Sequence, residues 1–200
     1  MTEPRTRTVL LVAAGAALLG VAASLLVGGP GPLWRSRVGQ QVLQQALLRP
    51  DPQPGLPQAR RGEPLPALTV SRLHDRQPVT LPDTLLGRPV LINAWASWCG
   101  PCIDEMPELQ RFADSQGAGG VQVIGIALDD ADAVHAFLAR VPVRYPILLD
   151  ASGSPTVSTA LGNPKGVLPY SVLLDAQGNV VAQRVGPFAH GELDDWVLTD

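Results

Sequence analysis

The chain has 200 residues, 46% of them hydrophobic and 16% charged, with a formal net charge of −3. That length suits one domain with an appended segment. Charge is divided along it: residues 1–64 carry seven Arg against three acids, and residues 65–200 carry eight basic residues against fifteen acidic ones, an acidic balance that argues against nucleic acid as a partner.

Val9 to Val27 holds nineteen residues without a charge, preceded by Arg5 and Arg7. Such a run can span a bilayer, and the positive-inside rule leaves the N-terminus in the cytoplasm and the rest of the chain outside. A cleaved signal peptide is the competing reading. Its apolar core is normally shorter, and Ala22-Ala23-Ser24 lies inside the run rather than after it, so length favours an uncleaved anchor. Leu33 to Leu48 is amphipathic, with Trp34, Val38, Val42, Ala46 and Leu47 at helical spacing. Arg49 to Pro66 is rich in Pro and reads as an extended linker. The expected organisation is therefore a cytoplasmic N-terminus over 1–8, a transmembrane signal-anchor over 9–28, an amphipathic segment and linker over 29–62, and a folded domain over 63–200. Either reading of the apolar run places that domain in an extracytoplasmic compartment, the periplasm in a bacterium.

Within the domain, Ala67–Ser71 and Pro78–Leu81 flank a polar turn and predict a hairpin. Thr84–Gly87 suggests a helical turn. Val90–Ala96 is apolar on both faces, as a buried parallel strand would be. Ile103–Phe112 has helical apolar spacing, and Val121–Leu128 reads as the next strand, so the two strands and the helix between them predict a βαβ unit. Ala131–Arg140 is a predicted helix with Ala133, Val134, Phe137 and Leu138 inward; Asp129, Asp130 and Asp132 suit its N-terminus. Tyr145–Leu149 predicts a short strand and Thr156–Leu161 a turn or two of helix. Tyr170–Leu174 and Val180–Val185 surround Asp175-Ala176-Gln177-Gly178-Asn179, a hairpin signal, and His190–Leu198 closes the chain as a helix. The expected fold class is α/β, a central mixed sheet with helices on both faces.

The chemistry is concentrated in Trp98-Cys99-Gly100-Pro101-Cys102, which contains both cysteines of the chain. The pair falls where a strand hands over to a helix. Cys99 then sits at the helix N-terminus, where unpaired N–H groups and the helix dipole favour a thiolate. Pro101 fits the first turn because its missing N–H has no partner to lose there. A zinc site needs about four ligands, and this motif supplies two; His74, His135 and His190 are scattered. A purely structural disulfide here would close too short a loop to restrain the unfolded chain much. The reading that remains is a dithiol redox centre needing no metal or cofactor, with Cys99 attacking and Cys102, one turn in, resolving the mixed disulfide. Trp98 flanks the pair and would shape a docking surface. Glu105 lies three residues after Cys102 on the same helix face, with a dipole-favoured surface acid as its plain alternative.

The run Val90-Leu91-Ile92-Asn93-Ala94-Trp95-Ala96-Ser97-Trp98-Cys99-Gly100-Pro101-Cys102, followed by Asp104-Glu105-Met106-Pro107-Glu108-Leu109, resembles the thioredoxin fold and, more narrowly, the TlpA/ResA-type membrane-anchored thiol-disulfide oxidoreductases. The resemblance covers about residues 63–200. It implies a thioredoxin-like fold with an N-terminal hairpin extension. It also implies that Pro169 is the cis proline facing the cysteines, that the Leu168 backbone pairs with an extended substrate, and that Glu105 affects the acidity of the thiols. Thioredoxin itself carries a buried Asp where this chain has Asn93, so the proton of Cys102 needs another acceptor. Gly166-Val167-Leu168-Pro169 departs from the Gly-x-Pro-Glu run of cytochrome c maturation thioredoxins. The implied partners are disulfide-bearing periplasmic proteins, cytochrome c or copper-site maturation among them, and a membrane electron donor of DsbD/CcdA type. Gly100-Pro101 matches reducing thioredoxins. A disulfide-forming oxidase and a redox-gated binding module remain as alternatives. A peroxidase is disfavoured because no Pro-x-x-x-Thr-x-x-Cys motif occurs.

Overall fold

The computed structural model describes residues 57–150 and 156–199, together with Val42, Gln44 and Ala46, which lie in a helix. The chain divides into two compact units, residues 1–46 and 47–200. The expected membrane span over 9–28 and most of the amphipathic segment and Pro-rich linker lie outside the described residues. Among those described, no helix is long and apolar enough to cross a membrane.

The described elements of the second unit follow one another as β1 (Leu68–Arg72), β2 (Pro78–Leu81), a 3-10 turn (Asp83–Leu85), β3 (Val90–Trp95), α1 (Gly100–Ser115), β4 (Gln122–Ala127), α2 (Ala131–Leu138), β5 (Ile147–Leu149), α3 (Thr156–Ala160), β6 (Tyr170–Leu174), β7 (Val180–Val185) and α4 (Glu192–Thr199). The strands form one mixed sheet in the order β2-β1-β5-β4-β3-β6-β7. At its centre, all six residues of β3 are buried. That strand runs parallel to β4, with Asn93 opposite Gly125, and antiparallel to β6, with Asn93 opposite Ser171. A strand flanked on both edges and covered on both faces must be apolar throughout. Asn93 is the polar exception in β3.

The alternation of side chains sorts the sheet into two faces. On one, Leu91, Val123, Leu173 and Ala182 pack under Leu109 and Phe112 of α1 and Leu193 of α4. Further along that face, Trp95 and Ala127 meet Met106 of α1 and Ala131, Val134 and Phe137 of α2. On the other face Ile92, Ala94, Ile124, Ile126 and Val172 pack against Val157 and Ala160 of α3. Helices therefore cover both faces, as expected.

Two details differ from the sequence-based expectation. Ala133 is exposed, and the inward face of α2 starts at Ala131 instead, because Asp130 caps the helix by accepting the Asp132 N–H at 2.8 Å. The strand expected from Tyr145 begins at Ile147. Pro146, which has no N–H for a ladder, intervenes and contributes only its carbonyl, to Gly125 N–H at 2.9 Å. The expected N-terminal hairpin is present, and it extends the sheet: β1 joins β5 antiparallel through Ser71 opposite Leu149 and Arg72 opposite Leu148.

The segment before β1 is also packed. Ala59 is buried and its N–H donates to Ala160 O at 2.8 Å, while Gly62 N–H and Leu65 N–H donate to Val180 O and Gly178 O. Gly162 makes this approach possible. Its φ is +90°, and a Cβ built on it would fall 2.8 Å from the Ala59 carbonyl oxygen. Gly162→Ala would combine left-handed backbone strain with a backbone clash. It should lower unfolding stability by about 2 kcal/mol or more, read as a lower urea midpoint at unchanged slope. A variant as stable as the parent would contradict the packing of residues 59–65.

Candidate active site

β3 ends at Trp95, and the chain turns through Ala96-Ser97-Trp98 into α1, with Cys99 as its N-cap. Cys99 and Cys102 are joined in a disulfide, their Cα atoms 5.3 Å apart. Cys99 O accepts the N–H groups of Cys102 and Ile103 at 3.1 and 3.2 Å, and the Cys102 N–H lies 3.3 Å from Cys99 Sγ. A backbone donor aimed at that sulfur, at the positive end of a helix, is an arrangement that stabilises a thiolate. Cys99 keeps 6% of its surface exposed and Cys102 1%. Of the two sulfurs, a reagent in solvent has the better access to Cys99.

The turn ahead of Cys99 is pinned by a residue expected only to flank a helix cap. Asp129 Oδ2 accepts both the Ser97 N–H, at 2.9 Å, and the Ser97 hydroxyl, at 2.6 Å. Trp98, next in the chain, is 71% exposed, a large apolar ring left in solvent beside the disulfide. Leu168 packs against the apolar cluster that contains both cysteines. The Leu168–Pro169 peptide is cis, as the resemblance implied, and Pro169 is buried. Leu81–Pro82, which no sequence signal marked, is also cis. Cys99, Cys102 and Leu168 thus come together, with Trp98 and Pro169 adjoining them in the chain.

Glu105 is not a surface acid. It is 1% exposed on the sheet-facing side of α1, one turn beyond Cys102. Asn93 Nδ2 donates to Glu105 Oε1 at 2.8 Å, and the Phe188 N–H donates to Oε2 at 3.0 Å. Asn93 Nδ2 also lies 3.1 Å from Ser171 Oγ on β6. Burial pushes the Glu105 carboxyl up from its ordinary value to about 7, while the bonds from Asn93 and Phe188 and the charge of Arg184 pull the other way. Desolvation wins, so this group can exchange a proton near neutrality. Tyr145 is raised too, by its burial and by the charge of Glu105.

Glu108, one turn further along α1, was not singled out in the sequence. It is also buried, yet its hydrogen bonds from Arg111 hold its carboxyl down at about 2. Arg111 Nε donates to it at 3.0 Å, the Gly191 N–H at 2.9 Å, and His190 Nδ1 lies 3.0 Å away. The two glutamates therefore hold the β7–α4 connection at two points, through the N–H groups of Phe188 and Gly191. Those donors are backbone groups more than eighty residues away in sequence, and no residue type announces them.

A Redoxin family model matches residues 60–196. The chain belongs to the Redoxin family. Among its relatives, the thiol-disulfide oxidoreductase ResA of Bacillus thuringiensis is 31% identical over 137 residues, covering 68% of this chain and 76% of that protein. The thiol:disulfide interchange protein DsbE of Pseudomonas aeruginosa is 34% identical over 133 residues, covering 66% and 69%. Among solved structures, a thioredoxin-related protein from Neisseria meningitidis serogroup B is 33% identical with a TM-score of 0.59, over 65% of this chain and 96% of that one. The fold is thus thioredoxin-like, and this Redoxin-family chain is a thiol-disulfide oxidoreductase of the ResA/DsbE type.

The two glutamates give opposite pH signatures. Glu105 has a folded value raised above the ordinary 4.5 to about 7. Its contribution to stability is present below about 4.5 and is lost as pH rises through about 7, amounting to roughly 3 kcal/mol. Glu108, depressed to about 2, stabilises above the ordinary 4.5 and loses that contribution as pH falls toward 2. In urea titrations of the disulfide form, stability should fall between about pH 5 and about pH 8 in the parent but not in Glu105→Gln. A parallel fall in both proteins would contradict the assignment.

Proposed function

We propose that the protein is an extracytoplasmic reductase of protein disulfides, in which Glu105 accepts the proton of Cys102. The reduced enzyme attacks a client disulfide through the Cys99 thiolate. One client sulfur leaves as thiolate and the other is held in a mixed disulfide. Cys102 then passes its proton to the Glu105 carboxylate and attacks Cys99 Sγ. The Cys99–Cys102 disulfide forms, the second client sulfur departs, and two electrons have moved from enzyme to client.

The observation that carries this reading is the buried Glu105 carboxylate one turn beneath Cys102, with a proton affinity near neutrality. A surface acid would be ionised throughout the working range and too weak a base to accept a thiol proton. Trp98, exposed beside the pair, and the Leu168 backbone before cis-Pro169 supply the client-docking face. Reduction rather than oxidation is supported by Gly100-Pro101, with no His between the cysteines. The apolar run over 9–28, with Arg5 and Arg7 before it, supports a single-pass anchor that leaves this domain in the periplasm beside the inner membrane. An oxidising periplasm offers no reductant pool. Electrons then arrive through a membrane donor of DsbD/CcdA type, and the clients are periplasmic proteins with disulfides to open, cytochrome c or copper-site maturation factors among them.

Cys102→Ala should accumulate mixed disulfides through Cys99 in cells, whereas Cys99→Ser should trap nothing. Acid-quenched wild-type protein should be mainly dithiol and become disulfide when the membrane donor is deleted. A disulfide form that dominates whatever the donor would favour the oxidase instead. In vitro, Glu105→Gln should slow resolution of the mixed disulfide by roughly tenfold to a hundredfold at neutral pH, with the initial attack by Cys99 unchanged. Equal slowing of both steps would count against a role confined to Cys102.

A further inference from the structure

Arg184 lies on β7 directly opposite Ser171 of β6, and so faces α1 with the polar pair Asn93 and Ser171. It is a half-buried cation at the root of the β7–α4 connection. Its Nη2 donates to Pro187 O at 3.0 Å, its Nη1 lies 2.9 Å from Glu192 Oε1, and its Cζ sits 4.6 Å from the centre of the Phe188 ring. Phe188 also meets Trp196, ring centres 5.2 Å apart and planes tilted by 59°. The backbone N–H of that same Phe188 donates to Glu105 Oε2.

We propose that Arg184 is a positioning residue for Glu105: its guanidinium fixes the Pro187–Phe188 peptide whose N–H reaches the carboxylate, and sets a positive charge behind it. The inference rests on the reading of Glu105 as proton acceptor and adds to it a group that helps keep that acceptor ionisable, beside the bonds from Asn93 and Phe188. Burial favours the protonated acid, which cannot take the Cys102 proton, and the Phe188 N–H and a nearby cation each oppose it. A direct ion pair would have the opposite defect. It would lower the group toward the value that Arg111 imposes on Glu108, too weak a base for a thiol. Arg184 acts at one remove, through Phe188, so it offsets the burial of Glu105 only in part.

Among the described residues, the other groups named around Glu105 do not supply a cation. Asn93 from β3 and Ser171 from β6 are neutral, Tyr145 before β5 is a phenol held neutral, and Glu108 on α1 is bound up with Arg111. Glu192 on α4 is the counter-charge of Arg184 itself.

The test follows the carboxyl resonance of Glu105 in 13C-Glu-labelled full-length protein, assigned by its loss in Glu105→Gln, beside the pH profile of mixed-disulfide resolution. In Arg184→Met, which keeps an apolar stem on Phe188, the titration of Glu105 should move to higher pH. Resolution at neutral pH should slow by roughly threefold to tenfold. Arg184→Lys, which restores the charge, should recover most of both. If Arg184→Met does not fold, Glu192→Gln serves instead: removing the counter-charge leaves the guanidinium less neutralised, and the titration should move to lower pH. Unmoved titration and profile in these variants, while Glu105→Gln abolishes the profile, would overturn the role of Arg184 and leave that of Glu105 standing. An unchanged profile in Glu105→Gln itself would overturn both.

Discussion

The site depends on a carboxylate buried beside a disulfide and only partly compensated. Taking an ionised carboxylate out of water costs several kcal/mol unless bonds and charges replace the solvent. At Glu105 the replacement is incomplete by design of the surroundings: one amide, one backbone N–H and one indirect cation. At Glu108, one turn away on the same helix, Arg111 binds the carboxylate directly and the compensation is more than complete. Two glutamates of the same helix thereby depart from the ordinary carboxylate value in opposite directions, and only one of them can serve proton transfer near neutral pH.

Several otherwise separate features of the fold serve that balance. β3 must be covered on both faces to form the sheet centre, yet it gives up one apolar position to Asn93, whose amide spans Glu105 and Ser171. The β7–α4 connection has to pass close over α1, and both glutamates hold it there by its N–H groups. The tilted ring contact of Phe188 with Trp196 ties the connection to α4. At the other end of the site, Asp129 ties the Ser97 turn to the end of β4, so the N-terminus of α1 and the thiols on it are held from a neighbouring strand.

Much of this was legible in the sequence where the signal is local. The largely apolar run of Val90–Trp95, the cysteines at a strand-to-helix junction and the Asp175–Asn179 turn each specify their own element within a few residues. Asp175 shows why: its Oδ1 accepts the N–H groups of Gln177 and Asn179, a turn bonded within five residues. Glu105 could be reached by helical spacing from Cys102, but its burial could not, because nothing in Asp104-Glu105-Met106 separates a buried acid from a solvated one. Its partners were hidden for a further reason. Phe188 contributes a peptide N–H, a group every residue but proline carries. Arg184 sits in an ordinary alternating strand, and its direction is known only once the β6–β7 register is known. The packing of Ala59 escaped the reading too, since a Pro-rich stretch reads as linker whether or not a carbonyl such as that of Ala160 is waiting for it.

The most direct test of the account is the titration of the Glu105 carboxyl in the dithiol form, followed by 13C NMR from about pH 4 to about pH 10. If Glu105 receives the proton of Cys102, the two groups titrate as a coupled pair. The carboxyl resonance should then show two steps, one near the value of about 7 to which burial raises it with the disulfide closed and one at higher pH where the thiol is lost, and Cys102→Ala should remove the second. A single step in the ordinary carboxylate range, the same in the dithiol, the disulfide and Cys102→Ala, would contradict it.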